Sequence, residues 1–192
     1  MYKEDIVPIQ KHAVSSPSGL YDVIEFVVCT IRRPLSLVGK TRDKIHTLGI
    51  QNAGLLSTHT SGLLWAKAFQ DQLYIKAVRE QLTIAETMKV FMRVKGIGLA
   101  KSAFCCQLLG LDVGCLDTWN YKALGMKEMT INKSAGEKHW NNAIGRYLEV
   151  SNTRSSEVWW NGWCKTVSGN RNNKSLPTAE AVSNFHVGAI IR

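Results

Sequence analysis

The chain has 192 residues and a mass of 21.4 kDa, enough for one packed core that buries roughly 70% of the unfolded surface. Its 24 Lys and Arg against 15 Asp and Glu leave a net charge of +9 and a pI near 9.4, a balance that suits a polyanionic partner. A hydrophobic share of 45% excludes a disordered tail, no apolar run approaches the roughly 20 residues of a membrane span, and Met1-Tyr2-Lys3-Glu4-Asp5 lacks the apolar stretch of a secretory signal, so a soluble intracellular protein is expected.

In chain order, Pro8, Pro17 and the run Ser15-Ser16-Pro17-Ser18-Gly19 predict an extended lead-in over residues 1–20, followed by one domain over 21–192. Tyr21, Ile24, Val27, Val28 and Ile31 recur at helical spacing, and Pro34 predicts a helix end near Arg33. A short helix is predicted over 35–50, with a stop near Gly49, and one or two helices over 62–81. Thr83 with Glu86 three residues later reads as a capping box for a helix carrying Ile84, Met88 and Phe91 on its apolar stripe. Further helices are predicted from about Leu99 to Leu109, Thr118 to Leu124 and Lys138 to Leu148, and from Ser155 towards Gly169. The segment 169–178 reads as loop, and 179–191 as a short docked helix. No period-two alternation and no repeat interrupts this pattern, so the fold class is all-α, a compact bundle of about eight to ten short helices.

Cys29, Cys105, Cys106, Cys115 and Cys164 are odd in number and unpaired in spacing, which argues against a disulfide framework. There is no Cys-x-x-Cys, the five histidines are scattered, and neither a zinc site nor an iron–sulfur loop is expected. These cysteines read as small core residues in a reducing compartment. The densest basic cluster is Arg32, Arg33, Lys40, Arg42 and Lys44, opposed only by Asp43.

The most informative stretch is Val94-Lys95-Gly96-Ile97-Gly98-Leu99-Ala100-Lys101-Ser102, between two predicted helices. Gly96 and Gly98 permit a tight turn, and the start of the following helix then offers free N–H groups and partial positive charge to an anion. Lys95, Lys101 and the Ser102 hydroxyl flank it, which reads as a clamp for one or two backbone phosphates. Nineteen residues after Gly98, Asp117 stands in Leu116-Asp117-Thr118-Trp119-Asn120. A carboxylate there can cap the next helix, and it can also stabilise positive charge on a deoxyribose and activate water.

Over roughly residues 84–125 this combination resembles the helix-hairpin-helix DNA glycosylases of the endonuclease III type, in which a hairpin is followed about 20 residues later by a catalytic Asp. The resemblance implies a glycosylase-like fold, duplex DNA as partner, and cleavage of the N-glycosidic bond of a damaged or modified base without metal or cofactor. It implies a catalytic role for Asp117 and backbone contacts by Lys95, Gly96, Ile97, Gly98, Ala100, Lys101 and Ser102. Arg32 and Arg33 fall in a region similar to the family's strand-probing loop. The family's His after Asp-Thr is replaced by Trp119, and its Pro before the first hairpin Gly by Lys95. Where bifunctional members carry a nucleophilic Lys this chain has Ala100, with Lys101 one residue later and about 100° around the helix. A monofunctional hydrolase is therefore expected, with Lys101 facing phosphate more readily than sugar. Lys101 keeps a secondary reading as a Schiff-base nucleophile.

A flipped base needs an aromatic pocket. Trp119 and Asn120 are the candidates beside Asp117, while Trp140, Trp159, Trp160 and Trp163 read chiefly as core. Three other readings remain open at this level: a DNA-binding module without chemistry, a base-hypermodification enzyme on a similar scaffold, and a helical protein–protein adaptor.

Overall fold

Residues 2–15 and 17–20 are helical, not extended. In the computed structural model, which describes residues 2–33 and 37–168, α1 (Tyr2–Ser15) places Ile6, Ile9 and Ala13 on one buried face, and α2 (Pro17–Cys29) follows almost at once. Pro8 removes one backbone donor within α1, but the apolar face packed on α2 outweighs that loss. Pro17 occupies the first turn of α2, where the missing N–H is harmless, and Ser16 caps it by accepting from Gly19 N–H at 3.0 Å. The two prolines thus punctuate helices instead of preventing them. The helix expected to end near Arg33 ends at Cys29; Pro34 itself, the stop at Gly169, the loop at 169–178 and the tail helix at 179–191 lie outside the described residues.

α2 is the centre of the fold, with every residue from Gly19 to Cys29 buried and α1, α3, α4, α5 and α7 packed around it. α3 (Val38–Leu48) ends at Gly49 and is followed by α4 (Ser57–Ala68), α5 (Gln70–Tyr74) and a π-helical turn at Ile75–Arg79. Between α2 and α3 lies a buried ionic cluster. Glu25 Oε1 accepts from Arg42 Nε at 3.0 Å and bonds His46 Nε2 at 2.9 Å. Arg42 is 1% exposed, so it leaves the basic surface cluster in which the sequence places it and belongs to the interior. Burial drives the Glu25 carboxyl upward, but the His46 hydrogen bond and the Arg42 guanidinium outweigh burial and hold it below the ordinary carboxylate value.

The remaining helices are α6 (Ile84–Met92), α7 (Leu99–Leu108), α8 (Thr118–Ala123), α9 (Glu137–Ser151) and α10 (Ser156–Ser168). The capping box on α6 is present: Thr83 Oγ1 accepts from Glu86 N–H, and Thr83 N–H donates to Glu86 Oε2 at 2.8 Å. Among the described residues there are ten α-helices and no strand, and no helix is long and apolar enough to cross a membrane. One core joins them, running from Leu20, Val23 and Ile24 of α2 through Met88 and Phe91 of α6 to Ala103 and Cys106 of α7. All five cysteines are free; Cys29, Cys105, Cys106 and Cys164 are buried and Cys115 is half-buried. Burial pushes the Cys29, Cys115 and Cys164 thiols up to about 12, which keeps them protonated and inert at neutral pH.

Candidate functional site

α6 and α7 pack side by side and are joined by a tight turn. Val94 and Ile97 are both fully buried, and Ile97 N–H donates to Val94 C=O at 3.2 Å. Ile97 therefore anchors the turn from inside and does not offer its side chain to a ligand. Gly96 has φ +92°, a left-handed conformation that disfavours a Cβ, and a Cβ there would stand 2.6 Å from His59 Cδ2. Gly98 is different. It starts α7 in an extended conformation (φ −103°, ψ −166°), and a Cβ added to it meets nothing within 4 Å. No side chain caps α7, so its first turn and the exposed Lys95 present donors and positive charge outward. Behind the turn, Lys133 Nζ donates to the Met92 and Val94 carbonyls, closing the end of α6. Burial lowers the Lys133 pKa.

Two of the expected phosphate contacts are corrected by this geometry. Ser102 is fully buried, and its hydroxyl donates to Leu99 C=O at 2.8 Å, so it is consumed within α7. Lys101 is directed across the fold towards α2: Nζ donates to Thr30 Oγ1 at 3.0 Å and lies 5.5 Å from the centre of the Phe104 ring. Thr30 in turn donates to Val27 C=O. Lys101 lines an interior cavity and not the outer rim of the turn.

The segment before α8 is fixed from α9 and α10. Tyr147 OH accepts from Leu116 N–H at 2.7 Å and donates to Gly114 C=O at 2.9 Å, while Gly114 N–H donates to Ser151 Oγ at 2.7 Å. Trp159 Nε1 donates to Ser151 C=O at 2.7 Å, which ties α10 to the same support. Asp117 emerges from this scaffold as the N-cap of α8. Its Oδ1 accepts from Trp119 N–H and Asn120 N–H, both at 3.0 Å, and its Oδ2 accepts from Trp163 Nε1 at 2.7 Å. Of the roughly four acceptor sites of a carboxylate, about one is left free. Burial raises the Asp117 carboxyl above the ordinary value; the Asn120 N–H, the Lys101 charge, the Trp163 indole and the Trp119 N–H oppose it without cancelling it.

Turn, lysine and carboxylate line one cavity of about 860 Å³. Gly96, Gly98 and Ala100 contribute its rim on one side, and Arg32 and Arg33 line it from the turn that follows α2. Arg32 has φ +54°, a left-handed conformation unusual for a non-glycine residue. Arg33 is braced by Thr41 Oγ1 at 2.8 Å and Gly54 C=O at 2.9 Å. One wall is aromatic: Phe104 stacks on Trp160 with 6.2 Å between ring centres, and Trp160 meets Trp163 at 5.5 Å. Trp159 and Trp160 belong to the core and Trp163 packs against it, as expected, and all three also line the cavity. Trp119 and Asn120 line it too, but Asn120 is buried and its Nδ2 is spent on Cys115 C=O at 2.7 Å. Trp140 is not part of this wall; its indole donates to Lys133 C=O.

Sequence reasoning passes over Trp163 as a partner of Asp117, and over Phe104 and Gln107. A signal for the latter two exists, because Lys101, Phe104 and Gln107 follow one another at three-residue intervals on α7, where neighbours share a face. Among the described residues no three or more His, Cys, Asp or Glu side chains gather as metal ligands would. Compared with known protein families, with curated proteins and with solved structures, the chain finds no match.

Proposed function

We propose that the protein is a DNA N-glycosylase that grips duplex DNA with the α6–α7 turn and hydrolyses the glycosidic bond of a damaged or modified base. The observation that carries this reading is the cavity that joins a half-buried, hydrogen-bonded Asp117 to the uncapped start of α7 and to an aromatic wall. A phosphate at Lys95–Gly98 meets backbone donors and a helix N-terminus, and Gly98 leaves the room for its close approach. A base rotated out of the duplex finds ring faces at Phe104, Trp160 and Trp163, and the +9 charge supplies the non-specific attraction.

In this reading the C1′–N bond breaks and its electron pair leaves on the base nitrogen. Positive charge develops on the sugar and is stabilised by the Asp117 carboxylate. Water adds to C1′, and the proton it loses passes to Asp117 and, through solvent, to the departing base; free base and an abasic site result. The two backbone bonds and the Trp163 indole hold the carboxylate rigid, so little reorganisation accompanies charge development. Lys101 favours the ionised carboxylate through its charge.

Two glycine substitutions separate fold from function. Gly96→Ala forces a left-handed alanine against His59 and destabilises the protein by at least about 1–2 kcal/mol. Gly98→Ala changes stability by no more than about 1 kcal/mol, yet weakens DNA binding because its methyl group occupies the phosphate's place. Thermal unfolding and fluorescence anisotropy on a labelled duplex check both. Unchanged affinity in a folded Gly98→Ala protein would remove the turn from the interface.

The Trp163 indole gives a second test. Trp163→Phe deletes a hydrogen bond that favours ionised Asp117, so the acid limb of the base-release pH profile moves upward. A limb that stays in place would mean that Asp117 is not the group titrating.

A further inference from the structure

Gln107 has one use that the packing of the chain does not explain. It is 1% exposed and lines the cavity on the same face of α7 as Lys101 and Phe104. Its Nε2 donates to Ser156 C=O at 3.1 Å. Because that partner is a carbonyl, the amide is fixed in one orientation: the nitrogen must face Ser156, and the oxygen cannot exchange places with it. Oε1 is buried and has no hydrogen-bond partner. Interior acceptors are satisfied in the great majority of cases, so an exception on a cavity wall points to a donor supplied from outside.

The placement indicates what the donor belongs to. Six residues separate Lys101 from Gln107, about 9 Å along the helix axis, with the Phe104 ring between them. An object that lies flat on the Phe104–Trp160 stack, with its sugar towards Lys101 and Asp117, presents its far edge to Gln107. Lys101 and Thr30 are bonded to each other, so on this face of α7 the buried acceptor without a donor is Oε1.

We propose that Gln107 determines specificity: its Oε1 accepts a hydrogen bond from an N–H on the Watson–Crick edge of the bound base, and the cavity selects bases that carry such a donor. This rests on the reading of the cavity as a base pocket. A site built to pair a polar group discriminates strongly against an analogue that leaves the group unpaired.

The test uses free bases with a methyl group in place of the sugar, so that it needs neither DNA nor turnover. Quenching of the cavity tryptophans reports binding of 9-methyladenine against 9-methylpurine, 1-methylcytosine against 1-methylpyrimidin-2-one, and 1-methyluracil against 1,3-dimethyluracil. In at least one pair the donor-bearing member binds tighter by about tenfold or more. Gln107→Leu removes that difference by weakening the donor-bearing member to the level of its partner. Gln107→Glu leaves the Ser156 carbonyl without its donor as the leucine variant does, but keeps an acceptor at the same reach; a preference kept in the glutamate variant and lost in the leucine one therefore assigns the loss to Oε1 and not to Ser156. Equal binding within every pair, no saturable binding by any base, or a preference that survives in folded Gln107→Leu would each overturn the proposal. Base preference without base release from DNA would remove the glycosylase chemistry and leave the role of Gln107 intact. Base release with no such preference would do the reverse.

Discussion

Glu25→Gln destabilises the protein by about 3–5 kcal/mol, the range found when one partner of a buried ion pair is neutralised and the other charge stays behind. Arg42, at 1% exposure and 3.0 Å from the carboxylate, is the charge that loses this ion pair. Against the roughly 5–15 kcal/mol that holds a domain folded, this is the largest stability effect expected of a single isosteric change here. The cluster also sets the response to acid. Glu25 has a folded-state pKa below its unfolded one, so its contribution is fully present above the unfolded carboxylate value and is lost as pH falls through the folded value. Urea titrations of parent and Glu25→Gln at neutral and acid pH measure both effects. The parent loses stability through that acid window, and the variant lacks this part of the loss. Equal stability at neutral pH would mean that the Arg42 charge is satisfied without Glu25.

Asp117→Asn lowers base release by a factor on the order of 10²–10³ or more while DNA affinity survives. In the proposed reading the phosphate grip belongs to the α6–α7 turn, which the substitution does not touch. The stability consequence has the opposite sign to that of Glu25. Asp117 has a raised folded-state pKa, so its favourable contribution exists below the unfolded value and disappears as pH rises through the folded one. At neutral pH the half-buried carboxylate is therefore a burden on the fold. The asparagine variant relieves that burden, but its amide nitrogen must oppose either the Trp163 indole or the backbone donors of α8. Stability close to the parent with chemistry lost is the combined signature. Loss of folding together with loss of DNA binding would instead mark Asp117 as a helix cap alone.

The helical content and much of the order of elements were legible from periodicity and capping. Thr83 with Glu86, and Gly49 as a stop, act in the fold as their residue types suggest. The two prolines point to an extended lead-in, whereas the spacing of Ile6, Ile9 and Ala13 that makes α1 a helix has meaning only once α2 is there to cover it. Arg42 shows the matching limit for charge: a basic residue in a basic run looks superficial until Glu25, 17 residues earlier, is seen to lie beneath it. At the candidate site the local parts were legible, namely the turn at Lys95–Gly98 and Asp117 as a cap. The long-range parts were not. No local pattern tells that the Trp163 indole meets Asp117 from 46 residues away, or that Lys101 bends towards Thr30 across 71.

Base release from defined duplexes tests the central claim most directly. End-labelled DNA carrying one uracil, 8-oxoguanine, oxidised pyrimidine, alkylated adenine or hydroxymethyluracil is incubated with the parent and with Asp117→Asn, and the strands are resolved with and without alkali. The account predicts alkali-dependent cleavage on at least one duplex by the parent, and none by the variant at equal DNA occupancy. Tight binding with no base released from any duplex, or release that persists in Asp117→Asn, would contradict it.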